Sequence, residues 1–164
     1  MVGMGEMYQD IAGRIKEKGL EDCVHLLGAM SQEGVRKQME ESGIFLLASD
    51  FHEGWGAVLN ESMRSACAVV ASHAAGAVPF LVNHGVNGMV FQSGDQESLF
   101  HGLEKLLLND SLRNMIQRNA YQTMADEWSP GIAAERFVVL AEALLQQDIC
   151  DRFETGPCSP ADDL

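Results

Sequence analysis

Two short apolar runs constrain this chain more than any other feature. Ile44-Phe45-Leu46-Leu47-Ala48 and Ala68-Val69-Val70-Ala71 contain no polar residue at all. A strand with one wet face alternates apolar and polar side chains. An unbroken run of strand length therefore reads as a strand buried on both faces, the pattern of a parallel sheet covered by helices. The intervening segments fit that pattern. Glu6 to Lys18 reads as a helix closed by Gly19, and Val24 to Leu27 as a strand closed by Gly28. Ser31 is an N-cap for a helix reaching about Ser42. A loop from Ser49 to Gly56 leads into a helix from about Ala57 to Cys67. After the Ser72 to Gly76 loop come a short helix or turn at Val78 to Val82 and a strand at Met89 to Phe91. Three helices follow: one capped by Asp95 and reaching Leu108, one capped by Asp110 or Ser111 and reaching Glu127, and one from Ser129 to Gln146 with Pro130 in its first turn. Strands alternating with helices over short connections predict an α/β fold with a parallel sheet and helices on both faces. Residues 1–146 carry this pattern. Residues 147–164, acidic and without periodicity, read as a flexible tail.

The length of 164 residues suits one domain. Its charge narrows the partners. Lys and Arg number 11 against 24 Asp and Glu, a formal net charge of -13, which argues against nucleic acid or an anionic membrane surface because both need clustered cations. A small anionic ligand stays possible, since backbone N–H groups can hold it locally. No run is long and apolar enough for membrane insertion, and Met1 to Asp10 has two acids and no base, unlike a signal peptide. Cys23 and Cys67 sit in apolar runs as expected of reduced core thiols, and Cys150 and Cys158 read as free thiols in the tail. The expected location is cytoplasmic.

Ligands of open parallel sheets bind at the carboxyl ends of the strands, so the strand-to-helix loops are the place to look. The loop after Ile44 to Ala48 holds Asp50, Phe51, His52, Glu53, Gly54, Trp55 and Gly56. Gly54 and Gly56 let backbone approach a ligand closely. Glu53 stands before the helix and Glu61 lies inside it, on the side away from the Val58, Leu59, Met63, Ala66 and Cys67 arc. From spacing alone, Glu61 reads either as a ligand group or as a solvated helix residue, and Glu53 either as a ligand group or as an acid favoured by the helix dipole. His52 and, in the next loop, His73 are candidate contacts or solvated loop residues. Trp55 could stack on a ligand or pack. Asn83, His84 and Asn87 read as turn chemistry, and no set of residues has metal-ligand spacing.

The segment Glu53-Gly54-Trp55-Gly56-Ala57-Val58-Leu59-Asn60-Glu61 matches E-G-x-G-x-x-x-x-E. Four further segments fall in the same order: Val2-Gly3-Met4-Gly5, Val24-His25-Leu26-Leu27-Gly28, Cys67-Ala68-Val69-Val70-Ala71-Ser72, and Gly85-Val86-Asn87-Gly88-Met89-Val90-Phe91. Together they resemble the C-terminal, donor-binding domain of family-four retaining glycosyltransferases (glycosyl transferases group 1). The resemblance implies the Rossmann-like half of a two-domain GT-B architecture. It implies that Glu53 faces the anomeric centre of a nucleotide-sugar donor and that Glu61 accepts from the ribose hydroxyls. Gly54, Trp55, Gly56, His52, His73 and Gly76 would complete donor binding, with no metal and no cofactor beyond the donor itself. Two departures stand out. Phe80, after Pro79, occupies the place where the family often has an acid. The family's first strand and its Arg/Lys loop have no counterpart, and neither has the N-terminal acceptor domain. The resemblance thus implies a truncated domain, inactive alone, with a non-catalytic nucleotide-sugar-binding or interaction module as the alternative.

Overall fold

The computed structural model describes residues 1–146 and 153–160. The chain divides into two compact units, Met1–Gln38 and Met39–Leu164. In the first, helix α1 spans Tyr8–Glu17. Gly19, at φ 61, closes it as expected: Leu20 N–H donates to the Ile15 carbonyl at 3.0 Å and Gly19 N–H to that of Lys16 at 3.1 Å. The expected strand at Val24 to Leu27 does not form. The segment is extended, with half-buried and exposed side chains alternating; apart from the turn bond of Val24 N–H to the Leu20 carbonyl, its backbone bonds go to Met1–Gly3. The Met1 amino group donates to the His25 carbonyl at 2.6 Å, and Leu27 N–H to the Met1 carbonyl and Gly3 N–H to that of Gly28, each at 2.8 Å; this short pairing at the chain's first residues does not extend into a strand. Cys23, expected in a core, is exposed because it lies in the turn after α1. Helix α2, Gln32–Glu40, starts at Ser31 as expected, whose Oγ accepts from Gly34 N–H at 3.2 Å.

The second unit holds a three-stranded parallel sheet of strands β1 (Ile44–Leu47), β2 (Ala68–Ser72) and β3 (Met89–Phe91), in that spatial order. Ile44 pairs with Ala68 and Leu47 with Ala71; Val70 pairs with Met89 and Ser72 with Phe91. All five residues of β2 are buried. Strand β1 departs from the doubly buried expectation: Leu46 is 41% exposed, because β1 ends the strand order and pairs on one side only. Between the strands run α3 (Ala57–Arg64) and the short α4 (Val78–Leu81); α5 (Gln96–Leu108), α6 (Asp110–Asp126) and α7 (Pro130–Leu145) follow. One face of the sheet presents Ala68, Val70, Met89 and Phe91, which meet Leu106 of α5 and Ile116 of α6. On the other face Val69 lies so close to Gly88 that an added Cβ there would stand 2.7 Å from both Val69 and Val82.

The helix ends show why chemistry sets the boundaries. Asp95 caps α5 as expected, accepting from Glu97 and Ser98 N–H at 3.0 Å. Helix α6 is capped one residue earlier than expected, by Asn109, which accepts from Leu112 N–H at 2.9 Å. Asp110 instead sits in the first turn and pairs with Arg113 at 2.8 Å. Ser129 caps α7. Helix α3 stops at Arg64, short of Cys67, because Ala66 turns left-handed (φ 58). Ala66 N–H donates to Met63 and Cys67 N–H to Ser62, the closure that glycine usually makes. Asn87 proves to be more than turn chemistry. It is buried, accepts from Asn83 N–H at 2.7 Å, and donates to the Leu81 carbonyl and the Thr123 hydroxyl, tying the turn to α6. Residues 153–160 lie against α7: the Arg136 guanidinium donates to the Thr155 and Pro157 carbonyls and covers the Phe153 ring at 4.8 Å. Cys150 and the rest of the tail lie outside the described residues. Among the described residues no helix is long and apolar enough to cross a membrane.

Ala66→Gly should stabilise the chain by about 0.5–1 kcal/mol, since glycine relieves the left-handed strain at a smaller cost in unfolded-state entropy. The thermal midpoint should rise by about 1–4 °C. A lower midpoint would show that the Ala66 methyl packs usefully. The thiols should also separate by reactivity. Burial pushes the Cys67 thiol up to about 11, and its Sγ donates to the Met39 carbonyl at 3.1 Å. Peptide mapping after maleimide treatment near pH 8 should find exposed Cys23 modified and Cys67 protected until the chain unfolds.

Candidate functional site

The carboxyl end of β1 opens into the loop Ala48–Gly56. Its first turn is built by Asp50, whose carbonyl accepts from Glu53 N–H at 3.1 Å. The Asp50 carboxylate accepts from His52 N–H at 2.9 Å and contacts His52 Nδ1 at 3.0 Å. Those bonds, the backbone one first, hold the Asp50 carboxyl below the usual carboxylate range. His52 is therefore occupied within the loop, and its side chain is 95% exposed. A shallow cleft lined by Ala48, Ser49, Asp50, His52 and Glu53 lies over this strand end.

Glu53 is half-buried and fastened from two sides. Ser49 Oγ donates to its Oε2 at 3.3 Å. Gly56, the left-handed N-cap of α3 at φ 80, leaves room for it: a Cβ on Gly56 would stand 3.3 Å from Glu53 Cγ and 3.7 Å from Leu47. A side chain there would thus meet both backbone strain and the glutamate. Glu61 stands on the exposed side of α3, opposite buried Leu59, Ser62 and Met63. It lies about 6 Å further along the helix axis than Ala57, given the α-helical rise. Both carboxylates belong to one strand–loop–helix unit at one edge of the sheet.

The next loop, after β2, closes on the first. Gly76 approaches so near that a Cβ added to it would lie 1.9 Å from the Gly54 carbonyl oxygen. Beside this contact Ala77 N–H donates to the Trp55 carbonyl at 2.9 Å. Trp55 is 40% exposed; its indole N–H donates to Asn60 at 2.9 Å, and its ring packs on Phe80 (centroids 5.5 Å) and Trp128 (5.9 Å). Phe80 thus fills its place with an aromatic contact. His73 follows β2 directly. Its own N–H donates to Phe91, and its Nδ1 accepts from Ser93 N–H at 2.9 Å. An acceptor Nδ1 leaves the ring proton on Nε2. Phe51, 76% exposed, meets the His73 ring at 5.4 Å and 88°.

The structure therefore gathers His52, Glu53, Gly54, Trp55, Gly56, His73 and Gly76 onto two adjoining loops. Glu61 stands on the helix that follows the first. Sequence reasoning did not find Ser49, Asn60, Ser93 or Trp128 as supports, because each acts through a tertiary bond or ring contact with no local pattern. The Asp50 turn was findable, since Asp two residues before a free N–H is an Asx-turn signal. Among the described residues no three His, Cys, Asp or Glu side chains group to hold a metal ion.

Gly76→Ala should push the Gly54 carbonyl away and break the Trp55–Ala77 bond. The expected cost is about 1–3 kcal/mol of stability, the usual range for overpacking. Trp emission should shift while far-ultraviolet circular dichroism stays helical. An unchanged melting curve and emission spectrum would show that the two loops can part freely.

Comparison with known proteins places this arrangement. The model of the family "Glycosyl transferases group 1" matches residues 1–123. The amylovoran biosynthesis glycosyltransferase AmsK of Erwinia amylovora is 34% identical over 104 residues, covering 60% of this chain and 25% of AmsK. The crystal structure of the C-terminal domain of the group 1 glycosyl transferase LpcC from Francisella tularensis superposes with a TM-score of 0.69 at 24% identity, covering 76% of this chain and 64% of that one. HepE of Anabaena in complex with UDP-glucose superposes with a TM-score of 0.64 at 26% identity, covering 89% of this chain and 39% of HepE. The fold is thus the Rossmann-like C-terminal domain of GT-B glycosyltransferases. The chain spans between a quarter and two fifths of the length of the curated relatives it matches. With a parallel sheet, two glutamates at its carboxyl edge and a family model matched over residues 1–123, the chain belongs to the glycosyl transferases group 1 family.

Proposed function

We propose that this chain is the donor-binding part of a retaining glycosyltransferase that moves a sugar from a nucleotide donor to an acceptor. The observation that carries the reading is the fastening of Glu53. Ser49 Oγ donates to its carboxylate, the Gly56 turn leaves the side chain room, and the Asp50 carbonyl fixes its backbone, so the residue is held half-buried at the strand end. In this reading Glu53 accepts from sugar hydroxyls and faces the anomeric carbon. As the bond to the diphosphate breaks, positive charge grows at that carbon, and a fixed carboxylate beside it lowers the barrier. Retention follows if the departing diphosphate assists the acceptor hydroxyl on the same face. Glu61 accepts from the ribose diol, a pairing in which two donors meet one carboxylate through short charge-assisted bonds.

Gly54 and Gly56 bring backbone close to the sugar and diphosphate, and Gly76 lets the two loops meet. Trp55 supports that backbone through its carbonyl and ring contacts. His52 and His73 supply further donors. The donor is held by protein groups rather than by a resident metal. HepE, solved in complex with UDP-glucose, and AmsK, named for amylovoran biosynthesis, support a nucleotide sugar as donor and a growing glycan as acceptor; the reading sets the reaction in the cytoplasm. Turnover needs an acceptor-binding domain in addition to this site, so the 164-residue chain binds donor without transferring it.

Calorimetry with uridine, guanosine and adenosine diphosphates and their hexose conjugates tests the reading. One series should bind. Glu61→Gln should weaken nucleotide and conjugate alike by roughly tenfold, the loss of one charge-assisted pair. Glu53→Gln should weaken chiefly the conjugate. Full-strength binding by the double variant would refute the site, and sugar transfer by the wild-type chain would refute its inactivity alone.

A further inference from the structure

Phe51 is the one member of the loop that the reading above leaves without a task. It sits at the tip of the Asp50–Glu53 turn, and that turn is closed by the Asp50 carbonyl and braced by the Asp50 carboxylate. A braced turn therefore holds a phenyl ring 76% exposed, although an apolar ring is ordinarily better placed against a core. The ring is not loose. It stands perpendicular to the His73 imidazole at 5.4 Å. His73 is itself anchored to the end of β3 through two bonds, from its own N–H to Phe91 and from Ser93 N–H to its Nδ1.

The second of those bonds fixes the chemistry of His73. A backbone N–H can only donate, so Nδ1 must carry a lone pair and Nε2 must carry the proton. His73 therefore presents a neutral N–H donor beside an exposed aromatic ring. Both stand at the carboxyl edge of the sheet, in the two loops that also carry Glu53, Gly54 and Gly76. A hexose has the matching features: an apolar patch of C–H groups on one face and hydroxyls around its rim. An aromatic face receives the C–H patch, and the N–H donor receives a hydroxyl oxygen.

We infer that Phe51 and His73 form a sugar-recognition pair, in which Phe51 stacks on the hexose ring of the donor and the His73 Nε2–H donates to one of its hydroxyls. The inference rests on the donor-binding reading and adds to it the residues that distinguish a sugar conjugate from its bare nucleotide. The pair makes the sugar's ring geometry, rather than its charge, the quantity selected at this edge.

The test compares the affinity of each nucleoside diphosphate with that of its hexose conjugate, by calorimetry on the full chain. Phe51→Ala should lower conjugate affinity at least fivefold relative to the bare nucleotide, and Phe51→Trp should restore most of it. His73→Asn is the sharper variant. Its Oδ1 can still accept from Ser93 N–H while the Nε2 donor is gone, so the loop stays anchored. It should lower relative conjugate affinity about threefold or more, with Ser93 amide exchange unchanged. An unaltered ratio in both variants would overturn the pair while leaving the donor site standing. Equal losses for nucleotide and conjugate would also overturn it, by showing that the two rings merely hold the loop. Failure of the wild-type chain to bind any of the nucleotides would overturn the donor site, and the pair with it.

Discussion

The carbonyl oxygen of Gly54 occupies the place where a side chain on Gly76 would begin. That contact joins two loops leaving neighbouring parallel strands, and the rest of the site is arranged around it. With the loops in register, Trp55 can give its carbonyl to Ala77 N–H and lay its ring between Phe80 and Trp128. The aromatic group then fixes the far side of the loop. Ser49 and the left-handed turn at Gly56 fix the near side and the glutamate between them. Gly76 removes a clash with the Gly54 carbonyl and Gly56 takes a left-handed turn beside Glu53, so both answer a packing requirement as much as a ligand requirement.

Much of this was legible in the sequence for identifiable reasons. The run at Ala68 to Ala71 announced a fully buried strand because β2 is flanked by strands on both sides and covered on both faces. Asp95 and Ser129 announced helix starts because capping is a local hydrogen bond written in neighbouring residues. The same logic failed where the decisive partner lay elsewhere. Strand β1 looked doubly buried, but Leu46 is exposed because nothing in a run of apolar residues says how many neighbours a strand will have. Val24 to Leu27 had strand composition and found only three residues to pair with. Asn109 outcompeted Asp110 for the cap, a shift of one residue that propensity does not resolve.

The candidate site divides along the same line. The spacing of Glu53, Gly54, Gly56 and Glu61 is a one-dimensional pattern and could be read directly. That Trp55 packs, and that Phe80 takes up the ring beside it, could not. Both readings of Trp55 were open until Trp128, more than seventy positions away, was found against its ring. Asn87 similarly looked like a turn residue, and its bond to Thr123 makes it a buried link between the turn and α6. Polar groups that bind across the fold carry no local sequence signal. Their roles emerge only from the requirement that buried donors and acceptors be paired.

The charge of -13 can be reconciled with an anionic donor through these same loops. None of the three strand-to-helix connections, 48–56, 73–77 and 92–95, contains a Lys or Arg. Three arginines of the second unit are engaged elsewhere: Arg64 lies over Tyr121, Arg113 pairs with Asp110, and Arg136 covers Phe153. In the proposed reading, these loops offer a donor neutral groups, the backbone N–H groups and the Nε2–H of His73. Neutral dipoles attract a diphosphate less strongly at long range than cations do, and they hold it by geometry once it arrives. Geometry in turn depends on how closely the two loops approach. The absence of a Cβ on Gly76 thereby sets not only the packing of the site but also the kind of force available to it.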